Sequence, residues 1–190
     1  MKKLLKECEY GTLAISSNNK PYSLPINFVM VDEIFYFHGS KKGRKIDILS
    51  NNPNASFSVL KAYSLVDSDF SSTNGLACPA TQFFRSIIID GVIEFVDDYD
   101  EKVLALSALM SKLQPKGGYK PLNEHDYKKS INATTIYKLI PQDINQKLKF
   151  GQHLPQERFD MILENLETRS DSLDLETINM MKKLRKDNDI

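Results

Sequence analysis

Three segments with the character of β-strands follow one another closely near the start of the chain, and their spacing restricts the fold. Residues 10–16, 22–31 and 34–38 are rich in β-branched and aromatic side chains and are joined by short polar turns. Parallel neighbours would need crossovers of about a dozen residues or more, which these turns do not provide. We therefore expect an antiparallel meander rather than a parallel α/β sheet. Pro25 cannot donate a hydrogen bond to a ladder, so the second segment is predicted to be an edge strand or to contain a bulge.

The remaining pattern extends this β-rich beginning. Further strands are predicted at residues 55–60, 83–96 and 134–140, and helices at residues 2–9, 46–49, 99–113, 155–166 and 173–186. Gly91, within the fifth strand, is typical of a bend or bulge in a curled sheet. Residues 61–80 show no clear periodicity and are predicted to form a long loop. Six strands with helices between and after them predict a mainly β fold, a small antiparallel barrel with helical caps.

Composition excludes several classes of partner. The chain carries 25 basic and 25 acidic residues, so no overall field attracts nucleic acid or a membrane surface, and any anion site must be local. Cys8 and Cys78 are too few for a disulfide framework, and no Cys/His spacing resembles a zinc site. The sequence shows neither a signal-peptide pattern nor an apolar segment long enough to cross a membrane. We therefore expect a reduced, cytoplasmic protein.

The strongest local signal is a cluster of four cations between a strand and a short helix: Lys41, Lys42, Arg44 and Lys45. Helix N-termini attract anions through free backbone N–H groups and the positive end of the helix dipole. Arginine adds a bidentate pair of donors and lysine a point charge, which together suit a phosphate. Gly43 would let the backbone approach such a group closely. The alternative is a solvated basic turn, which composition alone does not exclude.

Three further residues have both a structural and a functional interpretation. His38 ends its strand either as a hydrogen-bonded residue at the barrel rim or as a ligand contact or proton donor. Cys78 is either a buried free thiol or a thiol close to a bound cofactor. Arg85 stands in an otherwise apolar strand and needs a carboxylate or an anionic ligand as its partner. No Ser-His-Asp order, paired acids, Walker loop or GxGxxG motif is present, which argues against hydrolase, kinase and Rossmann functions.

The order of motifs in the chain is shared with a known family. The motifs are YGTLAIS, KPYSLPINFVMVDEIFYFHGSKKGRKIDILSNNPNASFSV and FFRSIIIDGVIEFVDDYDEKVLALSALM. Over residues 8–140 they resemble the pyridoxamine 5'-phosphate oxidase-like FMN-binding split-barrel family, most closely its branch of nitroimidazole-resistance and flavin-nucleotide-binding proteins. The resemblance implies a six-stranded antiparallel split β-barrel with C-terminal helices, and a homodimer with one FMN at each dimer interface. It also implies an FMN-binding domain at residues 1–150 and a helical extension at residues 151–190 that packs on the barrel or on the dimer partner.

The same resemblance implies roles for individual residues. Arg44 and Lys45 match the pair that binds the FMN phosphate, and residues 24–27 match the segment along the isoalloxazine ring. The end of the third strand matches the part of the family fold that flanks the cofactor, and Ser86 matches a polar position that faces the flavin. The cofactor-binding residues implied in this way are Leu24, Pro25, Ile26, Asn27, His38, Gly39, Ser40, Lys42, Gly43, Arg44, Lys45 and Ser86.

Two departures from the family pattern argue against pyridoxamine phosphate oxidation. The oxidase proper has an arginine on its second strand, where this chain has Leu24 or Pro25, and the C-terminal Arg-x-His segment of the oxidase is missing here. We therefore expect an FMN-binding protein that acts as a flavin-dependent oxidoreductase on a small electron acceptor, such as a nitroaromatic compound. Two alternatives stay open: a flavin-binding sensor or carrier without turnover, and a haem-binding split barrel with His38 or His125 as the ligand.

Overall fold

The computed structural model describes residues 1–188, which form seven strands and six α-helices. The helices are α1 (Lys2–Glu7), α2 (Arg44–Asn51), α3 (Tyr99–Leu113), α4 (Lys128–Ala133), α5 (Gln156–Arg169) and α6 (Asp174–Asn188). The strands are β1 (Tyr10–Ser17), β2 (Lys20–Asn27), β3 (Val29–Val31), β4 (Ile34–Gly39), β5 (Asn54–Val66), β6 (Thr81–Val96) and β7 (Thr135–Lys149). Among the helices of residues 1–188, none combines the length and the apolar character needed to span a membrane.

All seven strands belong to one sheet with the order β2-β1-β5-β6-β7-β4-β3. β1 pairs antiparallel with β2 and β5, and β4 pairs antiparallel with β3 and β7. Both hairpin turns use two residues with positive φ, Asn18 and Asn19 at 50° and 59° and Asp32 and Glu33 at 48° and 68°. Turns of this kind match the twist of the strands that they join. The mainly β, antiparallel fold class predicted from the sequence is confirmed.

The predicted meander of three strands is wrong. Residues 22–31 do not form one strand, because the chain breaks between β2 and β3, which lie at opposite ends of the strand order. Phe28, at the break, is fully buried, and its ring centroid lies 4.9 Å from that of Phe57. Because the Phe28 ring points into the core, the chain leaves β2 at this residue and begins β3 at the other end of the sheet. The fold therefore has seven strands instead of the predicted six. Pro25 lies in β2 at the edge of the sheet, as predicted.

Two strands are longer than predicted. β5 continues to Val66, so the prediction of a loop at residues 61–80 is wrong for the beginning of that segment. The continuation is favoured because it buries Tyr63 and Val66, and the Tyr63 ring meets Phe150 edge-on at a centroid distance of 4.8 Å. β7 likewise continues to Lys149. The β7 extension is mainly polar in the sequence, which conceals it.

The chain divides into two compact units. The first comprises Met1–Val59 and Ile87–Asn145, and the second comprises Leu60–Ser86 and the chain from Gln146 onward. Strands β5, β6 and β7 therefore contribute residues to both units. The division into an FMN-binding domain at residues 1–150 and a helical extension at residues 151–190 stays a prediction.

The first unit has an aromatic core. Phe28, Phe35, Phe37 and Phe57 are almost fully buried, and the rings of Phe37 and Phe57 meet edge-on at 5.1 Å. Edge-to-face pairs add a favourable electrostatic contribution to the burial of apolar area. Helix α3 packs its buried face in a second apolar cluster of the same unit. These two clusters fix the positions of β4 and α2, which carry the candidate site.

The second unit contains both C-terminal helices, which form as predicted. Their buried residues occur at helical spacing: Phe159, Ile162 and Leu166 on α5, and Ile178 and Met181 on α6. The apolar faces of these helices are therefore core rather than a surface for another partner.

A buried polar network lies within this second unit. The carboxylate of Asp174, which is 1% exposed, accepts a hydrogen bond from Ser64 Oγ at 2.5 Å. It also accepts two from the Arg169 guanidinium, from Nε at 3.0 Å and from Nη2 at 2.7 Å. Thr177 Oγ1 lies 2.8 Å from Ser64 Oγ and is also fully buried. The network therefore joins β5, the end of α5 and the start of α6.

Candidate anion-binding site

The loop between β4 and α2 carries the predicted cation cluster. β4 ends at Gly39 and α2 begins at Arg44, earlier than expected, so Arg44 and Lys45 both lie in the first helical turn. Gly43 precedes the helix with a φ of 116°, a conformation that favours glycine. No atom would lie within 4 Å of a Cβ at this position. The backbone at the start of the helix is thus open to an approaching group.

The N-terminus of α2 has no side-chain cap. The Gly43 carbonyl accepts hydrogen bonds from the N–H groups of Ile46 at 2.9 Å and Asp47 at 3.1 Å. The N–H groups of Arg44 and Lys45 have no acceptor within residues 1–188. Both donors are therefore available to an anion, in the position where the helix dipole also favours negative charge.

Lys45 differs from the other cations of the cluster, because the alternative of a solvated basic turn does not account for its burial. Its side chain is half-buried, with Nζ 4.9 Å from the centroid of the Tyr137 ring. Burial lowers the pKa of Lys45, which indicates surroundings that disfavour the charge. No carboxylate in the described part of the chain pairs with this ammonium. Because a buried charge without a partner destabilises the fold, an anionic ligand at this point would stabilise it.

Arg44 lies beside this lysine and connects the helix to β2. Its guanidinium carbon is 4.2 Å from the centroid of the Tyr22 ring, although the arginine itself is exposed. Stacking on an aromatic ring leaves the N–H donors at the edge of the guanidinium free. The exposed Lys41 and Lys42 have no carboxylate partner among residues 1–188 and are compatible with a solvated turn.

His38 lies at the end of β4, opposite Ile136 on β7, and its side chain is exposed on one side. Partial burial lowers the pKa of His38 below 6.5, and the positive charge of Lys45 lowers it further. Both effects favour the neutral form of the imidazole. A neutral imidazole offers one N–H donor and one acceptor nitrogen, so His38 can contact a ligand without adding charge.

The residues predicted to lie along a flavin ring are on β2. Leu24 and Ile26 pack against the core of the first unit, whereas Pro25 is exposed. Asn27 Nδ2 donates a hydrogen bond to the Glu9 carbonyl at 3.1 Å. In the strand order β2 pairs only with β1, so alternate residues direct their backbone polar groups away from the sheet. These backbone groups, rather than the apolar side chains, are what this strand can offer a ligand.

The other residues singled out in the sequence lie in the second unit. Ser86 is half-buried on β6, and its proposed role stays a prediction. Arg85 Nε is buried without an acceptor, and within residues 1–188 no carboxylate pairs with the guanidinium. Cys78 is exposed, so its interpretation as a buried thiol is wrong.

Sequence reasoning misses two tyrosines at this site. Tyr22 lies under Arg44, and Tyr137 lies under Lys45. Tyr137 is fully buried, its ring stacks on that of Phe37 at 5.4 Å, and its hydroxyl has no hydrogen-bond partner among the described residues. Burial raises the pKa of the Tyr137 hydroxyl, so it stays protonated and can donate a hydrogen bond. Tyr137 is identified by the pairing of β4 with β7, which places it opposite Phe37.

Comparison with known proteins finds one family and several similar structures. The family model for pyridoxamine 5'-phosphate oxidase matches residues 1–147. None of the curated proteins matches the sequence significantly. A candidate 5-nitroimidazole antibiotic resistance protein from Bacteroides thetaiotaomicron has a TM-score of 0.63 and 20% identity, over 76% of this chain and 80% of that one.

Two further similar structures are those of a flavocytochrome and of a protein that binds FAD and haem. The flavocytochrome Anf3 from Azotobacter vinelandii has a TM-score of 0.64 and 24% identity, over 78% of this chain and 65% of that one. The FAD and haem binding protein from Mycobacterium smegmatis has a TM-score of 0.63 and 22% identity, over 77% of this chain and 68% of that one.

At 20–24% identity these structures establish a common fold, and the family model extends over most of the chain. The resemblance seen in the sequence motifs is thereby confirmed. The antiparallel sheet is the split barrel of that fold, formed here by seven strands. The chain therefore belongs to the pyridoxamine 5'-phosphate oxidase family.

Proposed function

We propose that this protein binds FMN at the start of α2 and acts in the cytoplasm as a flavin-dependent oxidoreductase on a small electron acceptor. The observation that carries the proposal is Lys45, a half-buried cation without a counter-ion at the uncapped N-terminus of a helix. The phosphate of FMN is an anion of the kind that such a position binds. Arg44, in the same helical turn, would add a bidentate contact.

The residues around Lys45 fit a phosphate group. Gly39 leaves room for the ammonium, since a Cβ on that residue would lie 2.6 Å from Lys45 Nζ. The Lys42 N–H donates to Ser40 Oγ at 3.3 Å, which shapes the loop before the helix. Two side-chain cations and the two free N–H groups of the first turn could then contact one phosphate. Charge-assisted hydrogen bonds of this type are the strong ones in proteins.

The residues beside the phosphate contacts would orient the ring. Residues 24–27 would bind it through the unpaired backbone groups of β2, and His38 would contact it as a neutral hydrogen-bond partner. A bound flavin supplies electron transfer, which the side chains of this protein do not provide by themselves. The chain's own contribution is to bind the cofactor, orient it and limit access of water.

The class of reaction is supported by the similar structures. The flavocytochrome and the FAD and haem binding protein support a flavin as the cofactor of this chain. The candidate 5-nitroimidazole antibiotic resistance protein supports a nitroaromatic compound as the acceptor. FMN is the flavin that we propose because the cation cluster at one helix start suits a single phosphate.

Titration of the purified protein with FMN tests the proposal. We expect a flavin absorbance spectrum that stays with the protein through gel filtration, because the phosphate is held by two cations. Addition of NADH or NADPH should bleach the flavin band, and a 5-nitroimidazole should restore it. Riboflavin, which lacks the phosphate, is the matched control and should bind at least about 150-fold more weakly, because it loses at least two charge-assisted contacts of about 1.5 kcal/mol or more each.

Other outcomes would identify the alternatives. A protein that stays colourless after incubation with FMN would contradict the proposal. Bound FMN that neither nicotinamide donor reduces would indicate a sensor or carrier. A Soret band on addition of haem, without FMN binding, would indicate a haem protein with His38 or His125 as the ligand.

We also propose that the protein is a homodimer. Large apolar side chains of the first unit are exposed in the single chain, with exposed fractions of 66% for Tyr10, 49% for Leu104 and 43% for Ile88. A second copy would remove such side chains from water. Sedimentation equilibrium should therefore give twice the chain mass of 21.7 kDa. A protein that sediments as a monomer at micromolar concentration would contradict this proposal.

A further inference from the structure

A second candidate site is a cleft of about 540 Å³ within the first unit, next to α1, β3 and the end of α3. The volume is in the range of pockets that bind small molecules. Its walls are largely apolar and include Leu5, Val29, Met30 and Pro115. No carboxylate lines the cleft, and three lysines do.

Lys112 is the lysine that reaches furthest into the protein. Its side chain is half-buried, with Nζ donating to the Phe28 carbonyl at 2.9 Å and lying 3.4 Å from the centroid of the Phe28 ring. Burial lowers the pKa of Lys112 to about 8, although electrostatic interactions with Cys8, in its thiolate form, and with the Glu9 carboxylate act in the opposite direction. In the described part of the chain, no carboxylate forms an ion pair with this ammonium.

The geometry at Lys112 leaves one donor unused. An ammonium group has three N–H bonds. One is directed to the Phe28 carbonyl and the group also faces the Phe28 ring, so an N–H is left without an acceptor among residues 1–188 on a side chain that lines the cleft. Lys2 and Lys6, one helical turn apart on α1, are exposed where the cleft meets solvent. The cleft thus combines apolar walls with positive charge at its polar end and at its mouth.

We propose that this cleft binds a small amphipathic carboxylate, of the kind represented by a medium-chain fatty acid. The apolar part of the ligand would lie on Leu5, Val29 and Met30, and its carboxylate would pair with the free donor of Lys112. Lys2 and Lys6 would attract the anion to the cleft. A monoanion with a long apolar body fits better than a phosphate, because only one half-buried donor is free and the walls offer few other polar groups.

The residues that line this cleft differ from those proposed to bind FMN. The cleft is lined by residues of α1, β3 and the end of α3, whereas the cation cluster lies at the start of α2. None of its lining residues belongs to the cluster.

Calorimetric titration of the full chain, saturated with FMN, with decanoate tests the proposal. Decanoate should bind, and 1-decanol, which has the same chain length without the charge, should bind about tenfold more weakly or worse. Lys112→Met keeps an unbranched apolar side chain but removes the charge, and it should also weaken decanoate binding about tenfold. Lys112→Arg should restore much of the affinity. Thermal unfolding of each variant shows whether it is folded.

A second variant avoids the buried lysine. Lys2→Glu combined with Lys6→Glu changes only exposed side chains, and it should weaken decanoate binding without changing the unfolding temperature. A double Arg44→Ala and Lys45→Ala variant should bind decanoate as the unchanged protein does. Equal affinities for decanoate and 1-decanol, or unchanged binding by Lys112→Met, would overturn the proposal. Binding that disappears as the protein dimerises would instead assign the cleft to a second copy, and binding lost in the Arg44/Lys45 variant would assign the probe to the other site.

Discussion

Replacement of Asp174 by alanine is expected to lower the free energy of unfolding by about 3–5 kcal/mol, the effect of breaking a buried ion pair. The Asp174 carboxylate is 1% exposed and is paired with the Arg169 guanidinium through two hydrogen bonds. Without it, Arg169 loses its bidentate partner, and the hydroxyl of Ser64 loses an acceptor at 2.5 Å. Urea unfolding followed by circular dichroism at pH 7 measures the change. An exposed pair of the same unit, Lys182 and Glu167 at 3.1 Å, is the matched control, and Glu167→Ala should cost less than about 1 kcal/mol.

The Asp174 carboxylate should also make the free energy of unfolding depend on pH in the acid range. The Arg169 hydrogen bonds, supported by Ser64 and by the Asp171 N–H, lower the pKa of Asp174 to about 2, compared with roughly 3.9 in an unfolded chain. A lowered folded-state pKa contributes stability that is present above pH 4 and is lost as the pH falls towards 2. This contribution is on the order of 2–3 kcal/mol, and Asp174→Ala should lack it. An identical loss of stability between pH 5 and pH 2 in both proteins would contradict this role for Asp174, as would an alanine variant as stable as the unchanged chain at pH 7.

Simultaneous replacement of Arg44 and Lys45 by alanine is expected to weaken FMN binding by about 3 kcal/mol, or roughly 150-fold in Kd. This estimate takes two charge-assisted contacts at the lower end of their usual range, about 1.5 kcal/mol each. Fluorescence quenching of FMN on titration with protein measures the affinity. Lys128→Ala with Lys129→Ala is the matched control, because it also removes two neighbouring cations at the start of a helix, both of them exposed. Affinities of the two double variants that differ by less than threefold would contradict the phosphate assignment.

Gly39→Ala tests whether the position of the Lys45 ammonium matters for FMN binding, because it leaves the charges of Arg44 and Lys45 unchanged. The new Cβ would lie 2.6 Å from Lys45 Nζ, so the ammonium must move while both cations are kept. We expect FMN affinity between those of the unchanged protein and the Arg44/Lys45 variant. An affinity equal to that of the unchanged protein would show that the placement of Lys45 beside Gly39 does not matter for binding.

Elements whose determinants are local could be predicted from the sequence. Helix α3 was expected at residues 99–113 and forms at Tyr99–Leu113, because its apolar spacing and its N-terminal cap, in which Asp98 Oδ1 accepts the Glu101 N–H at 2.8 Å, are both set within the segment. The separation of β2 from β3 could not be predicted, since it depends on where the Phe28 ring is buried. That burial is decided by residues distant in sequence, such as Phe57.

The candidate site could also be predicted from the sequence only in part. The cation cluster and the helix after it are visible in the sequence, but the four cations look alike there. Only the fold distinguishes Lys45, because the pairing of β4 with β7 places Tyr137 under its ammonium and partly buries it. The sequence therefore indicates where an anion could bind, and the tertiary structure indicates which cation needs one.

The network around Asp174 also affects how the chain can fold while it is being synthesised. Ser64 and Asp174 are separated by 110 residues, which take about 6–22 s to synthesise at roughly 5–20 residues per second. Tyr63, Val66 and Phe83 are all synthesised well before the two C-terminal helices that bury them. The second unit is thus completed only after α6 has been synthesised, and nascent chains must be kept from associating through these side chains until then.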